Sequence, residues 1–158
     1  MKKIVSIFLI AASLVGCGED VRFNDPAFQG SLNNELWRSA SREARFNSDG
    51  SMTIKGMRGY ETMEVRIATI AINDTISFGN NDATMAKFTV DAPESLTVYE
   101  TTEEGGNGRV VIQEINLTEG YVTGEVLFFN APLVSGLPIY GNLANFFRGH
   151  FYRVPIVN

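Results

Sequence analysis

The sequence predicts an all-β fold, a single antiparallel β-sandwich or barrel-like domain. Three observations carry that expectation. From Ala27 onward apolar residues recur with period two, glycines and asparagines interrupt the chain at short intervals, and no long stretch keeps a convincing helical spacing. Short strand-like runs separated by turn formers are what an antiparallel sandwich or barrel requires.

The elements follow in order. Phe28, Gly30 and Leu32 alternate with Gln29 and Ser31, and Asn33-Asn34-Glu35 then turns the chain into Leu36-Trp37-Arg38. Over residues 36–46, Leu36, Ala40 and Ala44 fit helical spacing, but strand is the reading favoured here. Met63, Val65 and Ile67 alternate with Glu64, Arg66 and Ala68, as in a half-buried strand. Asn47-Ser48-Asp49-Gly50, Gly79-Asn80-Asn81-Asp82, Gly105-Gly106-Asn107-Gly108 and Thr118-Glu119-Gly120 are turns, because Gly and Asn accept positive φ. Val110 and Ile112 share a face that Ile115 misses by one residue, so a β-bulge is expected near Gln113-Glu114. Val122, Gly124, Val126 and Phe128 form one face of the next strand, with Gly124 marking a close approach. Phe147, Gly149 and Phe151 give a last strand, stopped by Pro155. There is no internal repeat and no low-complexity segment.

The start of the chain is different in kind. Lys2 and Lys3 precede a nearly unbroken apolar run from Ile4 to Val15. That run is shorter than the roughly 20 residues a membrane-spanning helix needs, and reads as an export signal. Leu14-Val15-Gly16-Cys17 resembles a bacterial lipobox. The resemblance implies cleavage before Cys17 and acylation of that cysteine, giving a membrane anchor of two or three chains. A single acyl chain holds only marginally, whereas two or more give stable anchoring. Cys17 is the only cysteine, so no disulfide forms within the chain. The expected organisation is a lipoprotein signal peptide over 1–16, the lipidated cysteine and a polar linker over 17–26, and one antiparallel β domain over 27–158. Acidic residues just after the cysteine, here Glu19-Asp20, resemble the surface-export signal of Bacteroidota lipoproteins; a plain solvated spacer is the equal alternative.

Cleavage leaves 142 residues, enough for one domain with a real core. Lys2 and Lys3 leave with the signal, so 11 basic residues face 18 acidic ones. That excess disfavours nucleic acid and anionic membrane surfaces as partners, because both need basic patches. Nine of the eleven basic residues are arginines, scattered without forming a stripe.

Several segments resemble a family of short Bacteroidota lipoproteins classed as a domain of unknown function. They are the Phe28 strand with the Asn33-Asn34-Glu35 turn and Trp37, then Met52-Thr53-Ile54-Lys55-Gly56. The hairpin of residues 108–116 and 122–128 follows, and Arg148-Gly149-His150-Phe151-Tyr152-Arg153-Val154-Pro155 closes the set. Residues 133–143 (LVSGLPIYGNL) depart from the family pattern, being longer and more apolar than a plain turn. The resemblance implies a β domain and carries no functional residue with it.

Candidate chemistry is sparse. His150 is the only histidine, which limits a catalytic triad or a histidine-rich metal site to one imidazole, and it is expected to be exposed opposite Phe151. Glu100, Glu103 and Glu104 lack the ligand spacing of an EF-hand and read as a solvated loop. Gly105 to Gly108 leads into a strand, so no helix N-terminus waits there for phosphate. The last thirty residues are crowded with aromatics, and alternation sends one of each adjacent pair outward. Phe129, Tyr140, Phe146 and Tyr152 are the candidates for a surface patch that stacks on a glycan or docks a protein, against the alternative of a sheet covered on both faces. Asp74-Thr75-Ile76 resembles the tripeptide that Bacteroidota O-glycosylate, which makes Thr75 a candidate modification site.

The expectation is therefore an outer-membrane lipoprotein anchored through Cys17, non-enzymatic, without a cofactor, and acting as a binding or accessory module. A barrel-shaped carrier of a small ligand is the nearest alternative and needs an unfilled apolar interior. A glycan hydrolase is the rival of another class. It needs two carboxylates roughly 5–9.5 Å apart across a cleft, and Glu64, Glu114 and Glu125 are the mid-strand candidates.

Overall fold

A computed structural model describes residues 27–158; the expected signal peptide, Cys17 and the linker lie outside these residues. The described chain is built from strands without a helix. In order they are β1 (Ala27–Leu32), β2 (Glu35–Arg38), β3 (Ser41–Phe46), β4 (Met52–Arg58), β5 (Glu61–Ile67) and β6 (Thr75–Phe78). Then come β7 (Met85–Ala92), β8 (Ser95–Glu100), β9 (Asn107–Asn116), β10 (Tyr121–Ser135) and β11 (Ile139–Pro155). All pairings between these strands are antiparallel, along the path β2-β1-β11-β10-β8-β7-β5-β4-β3, with β9 and β6 branching from β10. The sheet curls into a half-barrel. Its far edge returns to the chain just after β11, where Ala44 bridges Ile156 and Val157 N donates to Ala44 O at 2.8 Å.

Local pattern decides most strands. Phe28, Gly30 and Leu32 point inward from β1, and Met63, Val65 and Ile67 from β5. Residues 36–46 form two strands and not a helix, with Asn33 and Asn34 at positive φ in the turn before them. The bulge expected in β9 is present: the register against β10 slips at Gln113, between the pairs Thr123–Glu114 and Gly124–Ile112.

The two long strands depart from simple alternation. Leu127 of β10 stands opposite Arg148 of β11, and both neighbouring strands slip register there, β9 against β10 and β1 against β11. Arg148 takes φ 52°. Before the slip Val122, Gly124 and Val126 face the core; after it Phe129 and Ala131 do. In β11 the inward set likewise changes from Ala144 and Phe146 to Gly149 and Phe151. The expectation that Phe128 and Phe147 fill the core, with Phe129 and Phe146 outside, is therefore reversed. A bulge moves every later side chain to the other face.

The interior is closed by aromatic rings. Phe28 meets Trp37, Phe146 and Phe151 edge-on at centroid distances of 5.7, 6.3 and 6.0 Å, and Phe129 stacks on Phe146 at 5.4 Å. Each such side chain contributes roughly 1.5–3 kcal/mol by leaving water. Glycines make room for them: a Cβ at Gly124 would lie 2.3 Å from Val111 O and 2.4 Å from Phe151 Cζ. Overpacking of this kind costs about 1–3 kcal/mol, so Gly124→Ala should lower the urea midpoint by a corresponding amount without changing the slope. An unchanged midpoint would show that this contact is not tight.

Candidate functional site

Four segments meet at one end of the half-barrel: the β1–β2 turn, the β4–β5 turn, the β7–β8 turn and the hairpin between β10 and β11. Polar contacts hold them together. Arg58 Nη1 donates to Leu36 O at 3.4 Å, Asp91 N to Tyr60 O at 2.8 Å, and Thr97 Oγ1 to Leu137 O at 3.0 Å. Asn33 Nδ2 donates to Tyr140 O at 3.4 Å, and Asn33 Oδ1 accepts from Asn145 N at 2.8 Å.

The centre of this end is Glu61. One carboxylate oxygen accepts from Trp37 Nε1 at 2.8 Å and from Arg58 Nε and Nη2 at 2.9 and 2.6 Å. The other accepts from Tyr140 OH at 2.7 Å. A single side chain at the start of β5 thus ties together β2, β4 and β11. Arg58 also lies over the Trp37 ring, 5.8 Å from its centroid. Partial burial and then the hydrogen bond to the Glu61 carboxylate push the Tyr140 phenol up to about 12.

The hairpin is fastened just as firmly. Tyr99, fully buried, accepts from Tyr140 N at 2.9 Å and donates to Gly141 O at 3.0 Å. Gly136, at φ 90°, packs so closely that a Cβ there would lie 2.2 Å from Leu96 O. The same four segments carry Leu36 (73 % exposed), Tyr60, Leu96, Val134, Leu137 (65 %), Ile139 (49 %) and Leu143, all open to solvent. We refer to this group as the apolar crown.

The aromatic candidates fall elsewhere. Phe129 and Phe146 are fully buried and present no surface, because of the slip at Leu127 and Arg148. Tyr140 is half-buried with its hydroxyl on Glu61, and Tyr152 is half-buried opposite Ala27. Four aromatics that the sequence offered as one patch are thus split between core, framework and edge. Thr75 is exposed at the start of β6. His150 is exposed beside Glu125, 3.7 Å from Nδ1 to Oε1, with Phe151 inward as expected.

The candidate carboxylates are each engaged separately. Glu64 pairs with Lys55 at 3.2 Å, Glu114 accepts from Tyr121 OH at 2.8 Å, and Glu125 accepts from Gln113 Nε2 at 3.0 Å. Glu100 pairs with Lys87 at 3.5 Å, and Glu103 and Glu104 sit in an exposed turn. Among the described residues no group of three or more His, Cys, Asp or Glu is placed to hold a metal ion.

A polar depression of about 400 Å³ lies on the outer face of β3, β4 and β5, over Glu43, Arg45, Lys55, Glu64 and Arg66. Cross-strand register puts Glu43, Lys55, Glu64, Lys87 and Glu100 in one row of alternating charge. Arg66 pairs with Asp49 at 2.6 Å. The Ser51 hydroxyl and backbone N–H, more than Arg66, hold the Asp49 carboxyl down at about 2. Opposite charges directly across a sheet stabilise it modestly, and this row accounts for the depression as a solvated sheet face.

Composition gave no direct sign of Glu61. The available signal was chemical: a buried Trp37 needs an acceptor for its indole N–H. Glu61→Ala leaves that N–H and the Tyr140 hydroxyl without their acceptor, at an expected cost of about 2–3 kcal/mol. Chemical denaturation, followed by the emission of the single tryptophan, measures it. The raised phenol gives a second test. Its neutral form is held by the fold, so its contribution is intact below the ordinary value of 10 and lost as pH rises through about 12. Tyr121 is raised as well, by its hydrogen bond to Glu114, so ultraviolet titration should show late-ionising absorbance that Tyr140→Phe reduces by one tyrosine, and stability should fall over that window.

Comparison with known proteins is narrow. No curated protein matches the chain, and no solved structure does. A family model described as a domain of unknown function, DUF6252, matches residues 24–155. That span takes in every strand of the half-barrel, and the chain belongs to this DUF6252 family.

Proposed function

We propose that this protein is an exported, outer-membrane lipoprotein of the Bacteroidota type that works as a non-enzymatic binding module. Cys17 carries the lipid and residues 18–26 form the spacer. The observation that carries the binding role is the apolar crown. Seven apolar side chains on four converging segments are exposed to water, on a framework that Glu61, Tyr99 and Tyr140 hold rigid. Large exposed apolar groups concentrated at one place mark interaction sites, whereas isolated ones need no explanation.

Geometry supports the anchor's part in this. β1 runs from Ala27 to Leu32 and enters the crown at its far end, so the chain from the anchor joins the domain at the opposite end of that strand. The polar depression offers no aromatic platform for a sugar, and the crown is mainly aliphatic, which favours a protein ligand over a glycan. The carrier alternative loses support because Trp37, Phe28, Phe129, Phe146, Phe151 and Met63 fill the interior. The hydrolase alternative loses support because Glu64, Glu114 and Glu125 are each occupied by a different neighbour.

Two experiments test the reading. Cys17→Ala should release the protein from membranes; retention would overturn the lipid anchor. A photo-crosslinking residue placed at Leu137 in cells should give discrete adducts, while one at Leu117, in the turn between β9 and β10, should not. Equal yields at the two positions would remove the crown as a binding surface.

A further inference from the structure

We propose that the apolar crown docks a basic, apolar-faced polypeptide segment of a partner protein. The inference rests on the crown being a binding surface and adds the chemistry of what it binds. Charge supplies it. The four segments that build the crown, residues 32–36, 58–61, 91–96 and 134–143, hold four carboxylates: Glu35, Glu61, Asp91 and Glu94. They hold one cation, Arg58, and Glu61 already neutralises it at 2.6 Å; Arg38, exposed two residues beyond Leu36 on β2, is a further cation near the crown. Glu35, Asp91 and Glu94 remain exposed beside Leu36, Tyr60 and Leu96.

Three exposed carboxylates against Arg38 leave the rim with an acidic excess, and such a rim selects a partner of the other sign and repels its own kind. A second copy would bring three carboxylates against three. An anionic membrane surface would meet the same repulsion. A segment presenting Leu- or Ile-like side chains between lysines or arginines satisfies both the crown and its rim. Rigidity favours the association as well. Pro93 and Pro138 fix φ in two of the turns, and the tyrosine contacts clamp the hairpin, so little ordering remains to be lost on binding.

The test uses the mature domain and three labelled synthetic peptides of about 14 residues, roughly four helical turns. One carries leucines on one face and lysines on the other; the second has glutamates for the lysines, and the third serines for the leucines. Fluorescence anisotropy should show binding of the Leu/Lys peptide only. Leu137→Ser with Ile139→Ser should weaken it by roughly tenfold or more, while Leu117→Ser leaves it unchanged. Glu35→Gln, Asp91→Asn and Glu94→Gln together should weaken it about tenfold and flatten its salt dependence. If the Leu137 and Ile139 changes abolish binding but the charge variants do not, the crown binds and the basic partner is wrong. If the Leu/Lys peptide binds the Leu137 and Ile139 variant as well as it binds the unaltered domain, both claims fall. A dimer of the unaltered protein that Leu137→Ser disperses would assign the crown to a second copy and also overturn the proposal.

Discussion

Strands β10 and β11 run through the whole molecule as one long ladder, and the slip at Leu127 and Arg148 governs what they can build. β10 pairs with β9 as far as Asn130 and with β11 as far as Pro132, and from Leu133 it pairs with β8. One continuous strand thereby belongs to both parts of the sheet. The slip lets it bend between them, because the extra residue strengthens local twist. It also brings Phe129 and Phe146 inward as a stacked pair, onto which Phe28 and Trp37 close. Without it the aromatic core and the position of the hairpin would both be lost.

The hairpin that grows from these strands is what distinguishes this domain from a simple sheet. Its register against β8 carries it across to Tyr99, and Tyr140 then reaches back to Glu61 on β5. Core and crown are therefore not independent. The indole of Trp37 belongs to the aromatic interior through its ring and to the crown's framework through its N–H. Apolar residues on such a support cannot collapse inward to leave water, because the space beneath them is already filled. Their exposure is fixed by the fold.

Charge is distributed with similar economy. Over β3 to β8 the acidic and basic side chains sit opposite one another and largely cancel, while around the crown they do not. Across the described residues the acidic excess is modest; Glu35, Asp91 and Glu94 carry part of it at the apolar end, and Asp82, Glu103 and Glu104 carry part of it elsewhere. Steering and specificity depend on such local imbalance more than on net charge.

Sequence alone determined the all-β class, the individual short strands and the bulge at Gln113, because each shows in residues a few positions apart. It also marked Gly124 as a close approach, but the partners, Val111 and Phe151, come from other strands. Alternation at Met63, Val65 and Ile67, or Asn33 and Asn34 in a turn, is a local property of backbone geometry. Only the tertiary structure decided which member of Phe128-Phe129 and of Phe146-Phe147 faces the core, since either ring of an adjacent aromatic pair satisfies alternation and the slip at Leu127 and Arg148 selects between them. The candidate site was legible in one respect: residues 133–143 read as too long and too apolar for a plain turn. Its support was not legible, because Glu61, Trp37 and Tyr140 are far apart in the chain and meet only when β2, β5 and β11 converge.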